Sequence, residues 1–318
     1  MEMIKNGPWF LKEFIEYQIE LFSQPVADHQ QPLYYHFVVV LLGCFPMSVL
    51  ALGAFKKKYV SDELTRWMMT LFWVVMILFT IVTTKIVHYS SMSYLPLSFL
   101  ATTYLSRKEK AGQPLPGWLR GVYLFIGLLF GTLLTFLPLV YFFKDKLIPY
   151  IDDPFAVAGL QKAVNWGGYE FLAGLLFVAG VVWSFIWLGR QRYCKAVSVM
   201  ALSTALTLMA YMLMVVPKIE AHSQGSLVEF LESLQGKDVY VTTYGFHSYA
   251  PFFYFAQPND NPDKRADKEY LLNGPVDKPV YIITKITDTT LVGRSDLQLL
   301  KEEGGYRFYL RQAQQNLQ

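Results

Sequence analysis

The sequence predicts an α-helical polytopic membrane protein, with about six transmembrane helices followed by a small outer-face α/β domain. Hydrophobic residues make up 53% of the 318 residues and charged residues only 17%, whereas soluble domains average about 25% charged residues. The apolar residues are gathered into runs of membrane-spanning length, and no such run follows residue 217. A net charge of +3 gives no basic surface for nucleic acid, and two cysteines exclude a disulfide-rich scaffold.

The first segment, residues 1–31, predicts an amphipathic helix and loop lying at the outer membrane surface. Its basic residues Lys5 and Lys12 are outnumbered by acidic ones, so it lacks the basic start and clean apolar run of a signal peptide. Large apolar side chains recur instead at helical spacing. They are Trp9, Phe10, Phe14, Tyr17 and Leu21.

Residues 32–217 are predicted to form the transmembrane domain. A spanning helix needs about 20 predominantly apolar residues. Six runs approach or exceed that length: 32–55, 67–84, 90–106, 117–143, 165–189 and 196–217. The third run is marginal and contains Pro96.

The charges between the runs predict the orientation. Eleven basic and three acidic residues lie in the loops 56–66, 107–120 and 190–195. Six basic and nine acidic residues lie in the alternate segments 1–31, 85–89 and 144–170. The positive-inside rule therefore places the N-terminus outside and the C-terminal domain in the periplasm of a bacterial inner membrane. This alternation requires the third run to span, which supports six helices.

Residues 218–318 predict a periplasmic α/β domain. They hold 11 basic and 13 acidic residues and several short structural signals. These signals are a helix from Gly225 to Leu234, strands at 239–241, 280–283 and 307–310, and a turn at 259–263.

Six polar side chains fall at the outer face of this arrangement: His29, His36, Lys85, His88, Tyr89 and Glu170. Ionisable groups near hydrocarbon are costly and indicate function by default. Structural alternatives stay open for four of them. His29 is also explained as a solvated loop residue, and His36 as a core histidine bonded to a neighbouring helix. Lys85 is also explained as a snorkelling lysine, and Glu170 as the partner of a basic group.

The group around Lys85 suits one chemistry in particular. A lipid phosphate at the headgroup level needs a cation with hydroxyl or imidazole donors beside it, as His88 and Tyr89 would provide. Such a group would stabilise a phosphate leaving group. A divalent-metal site formed by His29, His36 and His88 is an alternative, although their spacing matches no specific ligand motif.

An ordered set of short segments resembles a known family. The segments are FIEYQI (14–19), ADH (27–29), YYHF (34–37), GCFP (43–46), KIVHY (85–89), YLP (94–96) and FHSYAPFFY (246–254). Their order is similar to the C-terminal half of bacterial GT-C membrane glycosyltransferases. These are the enzymes of the dolichyl-phosphate-mannose protein mannosyltransferase and aminoarabinose transferase type.

The resemblance implies a polyprenyl-phosphate sugar donor, a membrane lipid environment and transfer to an envelope acceptor (lipid, glycan or protein) at the outer face. It implies that His29 matches a juxtamembrane histidine that helps bind a metal in some relatives. It also implies that Lys85 and Tyr89 lie beside the lipid phosphate.

Two departures from the family bear on catalysis. The acidic catalytic motif of the family would precede residue 1, so we expect the general base in a missing N-terminal half, which is then a candidate partner. Glu20 stands where many relatives have a basic residue. A non-catalytic membrane partner or scaffold subunit is therefore the main alternative. A transporter or flippase is less favoured, because the sequence shows no internal repeat.

Overall fold

A computed structural model describes residues 7–23, 31–60, 62–256 and 262–313. The chain divides into two compact units. The first comprises residues 1–134 and 174–207, and the second comprises residues 135–173 and 208–318. The domain limits suggested by the sequence remain a prediction.

The helices before the C-terminal sheet follow the apolar runs of the sequence. In chain order they are α1 (Trp9–Ser23), α2 (Tyr35–Gly43), α3 (Met47–Ala51), α4 (Glu63–Ile81), α5 (Tyr94–Lys110), α6 (Gly117–Phe136), α7 (Lys144–Leu147), α8 (Pro154–Gln161), α9 (Leu172–Gly189), α10 (Tyr193–Met214) and α11 (Val216–Ser223). Short 3-10 helices cover Leu52–Phe55, Lys57–Tyr59, Val87–Ser93, Leu137–Phe143 and Ile148–Tyr150. Helix α1 matches the helix predicted near the N-terminus.

Four helical segments of the described chain are long and apolar enough to span a membrane: Glu63–Ile81, Gly117–Tyr150, Leu172–Gly189 and Tyr193–Ser223. A fifth span results if α2 and Met47–Phe55 are taken together, although they meet at an angle of 110°. The prediction of about six spans is therefore not confirmed. The predicted third span forms helix α5, which is too short and too charged to count as a spanning helix, because it has 17 residues and ends in Arg107, Lys108 and Lys110.

Helix α5 instead supplies much of the buried core of the first unit. Its residues Leu100 and Ala101 are fully buried and belong to the same apolar cluster as Leu50 of α3. The basic residues of α5 are confined to its last turn, so the middle of the helix can pack in the core.

Glycines allow the spanning helices of the first unit to approach closely. A Cβ atom at Gly127 of α6 would lie 2.7 Å from a methyl carbon of Val181 on α9. A Cβ atom at Gly180 of α9 would lie 2.0 Å from the hydroxyl of Ser203 on α10. Small residues at such crossings are typical of helices that associate within a membrane.

The C-terminal part of the second unit is built on a four-stranded mixed sheet in order β1-β2-β4-β3. The strands are β1 (Tyr240–Thr243), β2 (Val280–Lys285), β3 (Leu297–Glu303) and β4 (Tyr306–Arg311). The accompanying helices are α12 (Gly225–Ser233), α13 (Ala250–Tyr254), α14 (Pro262–Ala266) and α15 (Lys268–Asn273). Strands β1 and β2 are parallel, which requires the helical crossover between them. Both other pairings are antiparallel.

The alternation of side chains along β2 buries both faces of this sheet. Ile283 packs in one cluster with Leu231 of α12, whereas Ile282 packs in another with Leu271 of α15. The predicted helix from Gly225 and the three predicted strands are confirmed, with ends shifted by a few residues. Strand β3 was missed, because its sequence LQLLKEE is largely polar and exposed. Most of the turn predicted at 259–263 lies outside the described residues.

Candidate functional site

The loop after α4 brings a buried lysine to one end of the first unit. Helix α4 ends at Ile81, and the side chain of Lys85 folds back over that end. Its ammonium donates a hydrogen bond of 2.8 Å to the carbonyl oxygen of Val82, and Lys85 is only 5% exposed. No carboxylate of the described residues lies within 4 Å of this ammonium. A buried cation with a single carbonyl partner is costly, and it suits an anionic ligand.

A fully buried histidine lies in the same region. His36 occupies the first turn of α2 and is 0% exposed. Neither of its ring nitrogens has a hydrogen-bond partner among the described residues. Its ring centroid lies 5.2 Å from that of Tyr35 and 6.0 Å from that of Phe79. The charge of Lys85 is near enough to interact electrostatically with the imidazole of His36. Buried polar groups are nearly always hydrogen-bonded, so this imidazole is an unusual feature.

The structure also brings Tyr89 to this group, but it leaves His88 at the surface. The ring centroid of Tyr89 lies 5.5 Å from that of Phe79, so Phe79 contacts both Tyr89 and His36. His88 is exposed and touches the ring of Tyr89 edge-on. We use the name Lys85 cluster for Lys85, His36, Phe79 and Tyr89.

An apolar cleft of about 630 Å³ adjoins the Lys85 cluster. Tyr35, whose ring contacts His36, is one of its walls, and Val87 from the lysine loop is another. The half-buried Tyr94 adds a phenol to the lining. A cleft of this size with few polar groups suits the apolar part of a lipid or a similar ligand.

Glu170 belongs to the second unit, where it is 1% exposed and forms an ion pair with Lys218. The backbone N–H of Gly167 donates a further hydrogen bond of 2.8 Å to the same carboxylate oxygen. Burial alone would raise the pKa of Glu170, but these hydrogen bonds outweigh it and lower the pKa below the ordinary value. The ammonium of Lys218 also lies 5.5 Å from the ring centre of Trp166. These contacts link Glu170 to Lys218 and Gly167 within the second unit.

The described residues do not by themselves form a metal site. No group of three or more His, Cys, Asp or Glu side chains among them is placed to hold a metal ion. His29, the residue proposed to bind a metal, lies outside the described residues.

The sequence analysis gave no role to three residues that shape these sites: Phe79, Tyr94 and Lys218. Phe79 looked like an ordinary apolar position of a spanning run, and Tyr94 stood out only as part of the YLP segment. The sequence did indicate a role for Lys218, because this lysine directly follows the last apolar run and so falls at the same predicted membrane depth as Glu170. Opposite charges at equal depth are expected to pair.

Two solved structures resemble this chain. ArnT from Cupriavidus metallidurans bound to undecaprenyl phosphate matches it with a TM-score of 0.61 at 11% sequence identity, covering 97% of this chain and 57% of that chain. The apo state of the same protein matches with a TM-score of 0.62 at 11% identity, covering 97% and 58%. The chain has the ArnT fold. It thus spans a little over half the length of the structures it matches.

This likeness confirms the fold expected from the resemblance noted in the sequence. No protein-family model and no curated protein sequence matches the chain. The prediction that it corresponds to a C-terminal half stays a prediction, and these matches lend no support to a separate N-terminal half as its partner.

Proposed function

We propose that this chain acts in glycosyl transfer from a polyprenyl-phosphate-linked sugar, with Lys85 as the group that binds the carrier phosphate. The observation that carries the proposal is the buried ammonium of Lys85, which has only the carbonyl of Val82 as a described partner. An anionic ligand would complete its coordination. The ArnT fold, one of whose structures holds undecaprenyl phosphate, supports this choice of anion.

The Lys85 cluster can contribute to the reaction through the leaving group. In the transfer, an acceptor hydroxyl oxygen forms a bond to the anomeric carbon, and the bond from that carbon to the phosphate oxygen breaks. The electron pair of the broken bond stays on the phosphate. Negative charge therefore grows beside Lys85, and a pre-positioned cation stabilises it most in a site that excludes water.

His36 and Tyr89 are proposed as accessory donors to the same phosphate. Neither ring nitrogen of His36 has a hydrogen-bond partner among the described residues, and the ring of Tyr89 contacts the same Phe79 as His36 does. The polyprenyl chain would follow the apolar cleft lined by Tyr35 and Val87. The base that accepts the proton of the acceptor hydroxyl is a separate requirement.

We further propose that the reaction takes place at the outer face of the bacterial inner membrane, with an envelope lipid, glycan or protein as the acceptor. The support is the charge asymmetry of the loops, which favours an outer position for the Lys85 cluster. Under this orientation the C-terminal sheet domain is periplasmic.

A binding experiment tests the role of the phosphate. The purified full chain in detergent is heated with undecaprenyl phosphate or with undecaprenol, which has the same chain and no phosphate. We expect stabilisation by the phosphate form only, of about 2.7 kcal/mol when the lipid is present at about 100 times its Kd. Lys85→Ala should abolish this stabilisation. Lys146→Ala is the matched control, since Lys146 is an exposed lysine of the second unit.

The outcomes separate the two main functions. Equal effects of the two lipids on the wild-type chain would refute the phosphate site. Phosphate-dependent binding without release of polyprenyl phosphate from a carrier-linked sugar would favour the non-catalytic membrane partner.

A further inference from the structure

We propose a second lipid site in the first unit, at the end where α5 finishes and α10 begins, for a phospholipid whose headgroup carries a phosphate and a primary ammonium. A cleft of about 380 Å³ lies there between the two helices. Leu105 and Val197 form apolar walls, whereas Glu109 and Lys110 place one charge of each sign in its lining. The Lys85 cluster has no part in this site.

The mouth of this cleft lies at the depth of the membrane surface. Helices α9 and α10 are both long and apolar enough to span, and only a short turn joins Gly189 to Tyr193. Glu109 accepts a hydrogen bond of 3.1 Å from the backbone N–H of Cys194, the second residue of α10. The two charges therefore lie where lipid headgroups lie, and Val197 is one turn deeper towards hydrocarbon.

Of the three cations in the last turn of α5, Lys110 is the one left without a described partner. Arg107 forms an ion pair of 2.6 Å with Asp62, and the ammonium of Lys108 donates to the side chain of Gln113. The ammonium of Lys110 has no ion pair or hydrogen bond to any described residue. It is free to bind a phosphate.

Glu109 determines which phosphate-bearing lipid fits. One of its carboxylate oxygens is used by the N–H of Cys194, and the other has no described partner. An anionic headgroup such as phosphatidylglycerol would meet repulsion from this carboxylate. The primary ammonium of phosphatidylethanolamine would donate a charge-assisted hydrogen bond to it while the phosphate binds Lys110. The quaternary ammonium of phosphatidylcholine has no N–H to donate.

Lipid retention measures this preference directly. The purified full chain is equilibrated in detergent with equal amounts of the three phospholipids, and the lipids that stay bound are counted by native mass spectrometry. We expect phosphatidylethanolamine to be retained about tenfold more than either competitor, roughly the factor supplied by one charge-assisted hydrogen bond.

Three variants make the experiment specific. Glu109→Gln keeps an oxygen for the N–H of Cys194, so the fold is retained, but it should remove the preference for phosphatidylethanolamine over phosphatidylglycerol. Lys110→Gln should lower retention of all three lipids about tenfold. Lys108→Gln is the control from the same turn and should leave the retention of all three lipids unchanged. Equal retention of the three lipids by the wild type, or a preference that survives Glu109→Gln, would overturn the proposal.

Discussion

Replacing Lys85 by methionine should strengthen the fold and remove carrier binding at the same time. Methionine has nearly the same length as lysine and fills the same buried space without a charge. Lys85 is only 5% exposed and donates one hydrogen bond, to the carbonyl of Val82. The wild-type chain therefore keeps a desolvated cation that its own described residues do not neutralise.

The expected gain in stability follows from two opposing contributions. Losing a hydrogen bond from a charged donor destabilises by about 1.5–3 kcal/mol. Removing a buried ion relieves a desolvation penalty of several kcal/mol, and apolar replacement of buried charges is often stabilising by about 1–4 kcal/mol. We expect a net gain of about 1–2 kcal/mol in the free energy of unfolding, which corresponds to a rise in Tm of roughly 2–6 °C.

The expected loss of binding is larger. Removing one partner of a desolvated, hydrogen-bonded charge pair costs about 2–5 kcal/mol, which is roughly a 30- to 5000-fold increase in the Kd for undecaprenyl phosphate. The assay is thermal unfolding of the purified chain with and without that lipid. A variant that melts earlier than the wild type would show that Lys85 stabilises the fold, and unchanged carrier binding would refute its role at the phosphate.

Three further changes test the structural features around the sites. Glu170→Gln should destabilise the second unit by about 3 kcal/mol, because Lys218 loses its buried partner. Since the pKa of Glu170 is lowered in the fold, its contribution is present above the ordinary value of 4.5 and is lost as pH falls through the lowered value. Melting temperatures of the wild type should therefore fall in acid by more than those of the glutamine variant. Gly180→Leu should prevent close packing of α9 on α10 and lower the yield of folded protein in size-exclusion chromatography, whereas no change would refute the tight crossing. Gly245→Ala should destabilise the sheet domain by about 1–3 kcal/mol in denaturant unfolding, because Gly245 has φ +74° and a Cβ atom there would lie 1.9 Å from a carboxylate oxygen of Asp288. An alanine variant as stable as the wild type would contradict that geometry.

Local patterns in the sequence predicted the secondary structure well. The long apolar runs became helices, and the short β-branched and aromatic segments of the last hundred or so residues became β1, β2 and β4. The two misses have different causes. The marginal run became α5, because its residues pack in the core of the first unit against residues distant in sequence, such as Leu50. The polar edge strand β3 forms through a hairpin with the next strand, β4, although its own sequence is largely polar and exposed.

The candidate site was only partly predictable. Lys85, His36 and Tyr89 could be selected because ionisable and polar groups near an apolar run are rare and costly. The sequence did not reveal that His36 lacks a described hydrogen-bond partner or that Phe79 contacts both His36 and Tyr89. The ion pair of Glu170 with Lys218 agrees with the alternative left open by the sequence, that this carboxylate is the partner of a basic group.

Local sequence patterns were enough to predict a membrane protein with a C-terminal α/β domain, because hydropathy and periodicity are properties of neighbouring residues. Which cations have a partner, in contrast, depends on the folded backbone. Arg107 finds its carboxylate 45 residues away in Asp62, and Glu109 meets Cys194, 85 residues away. Lys85 and Lys110 are left without a carboxylate in the described fold. Partner choice depends on the three-dimensional path of the backbone, which brings together charges whose spacing along the chain carries no signal.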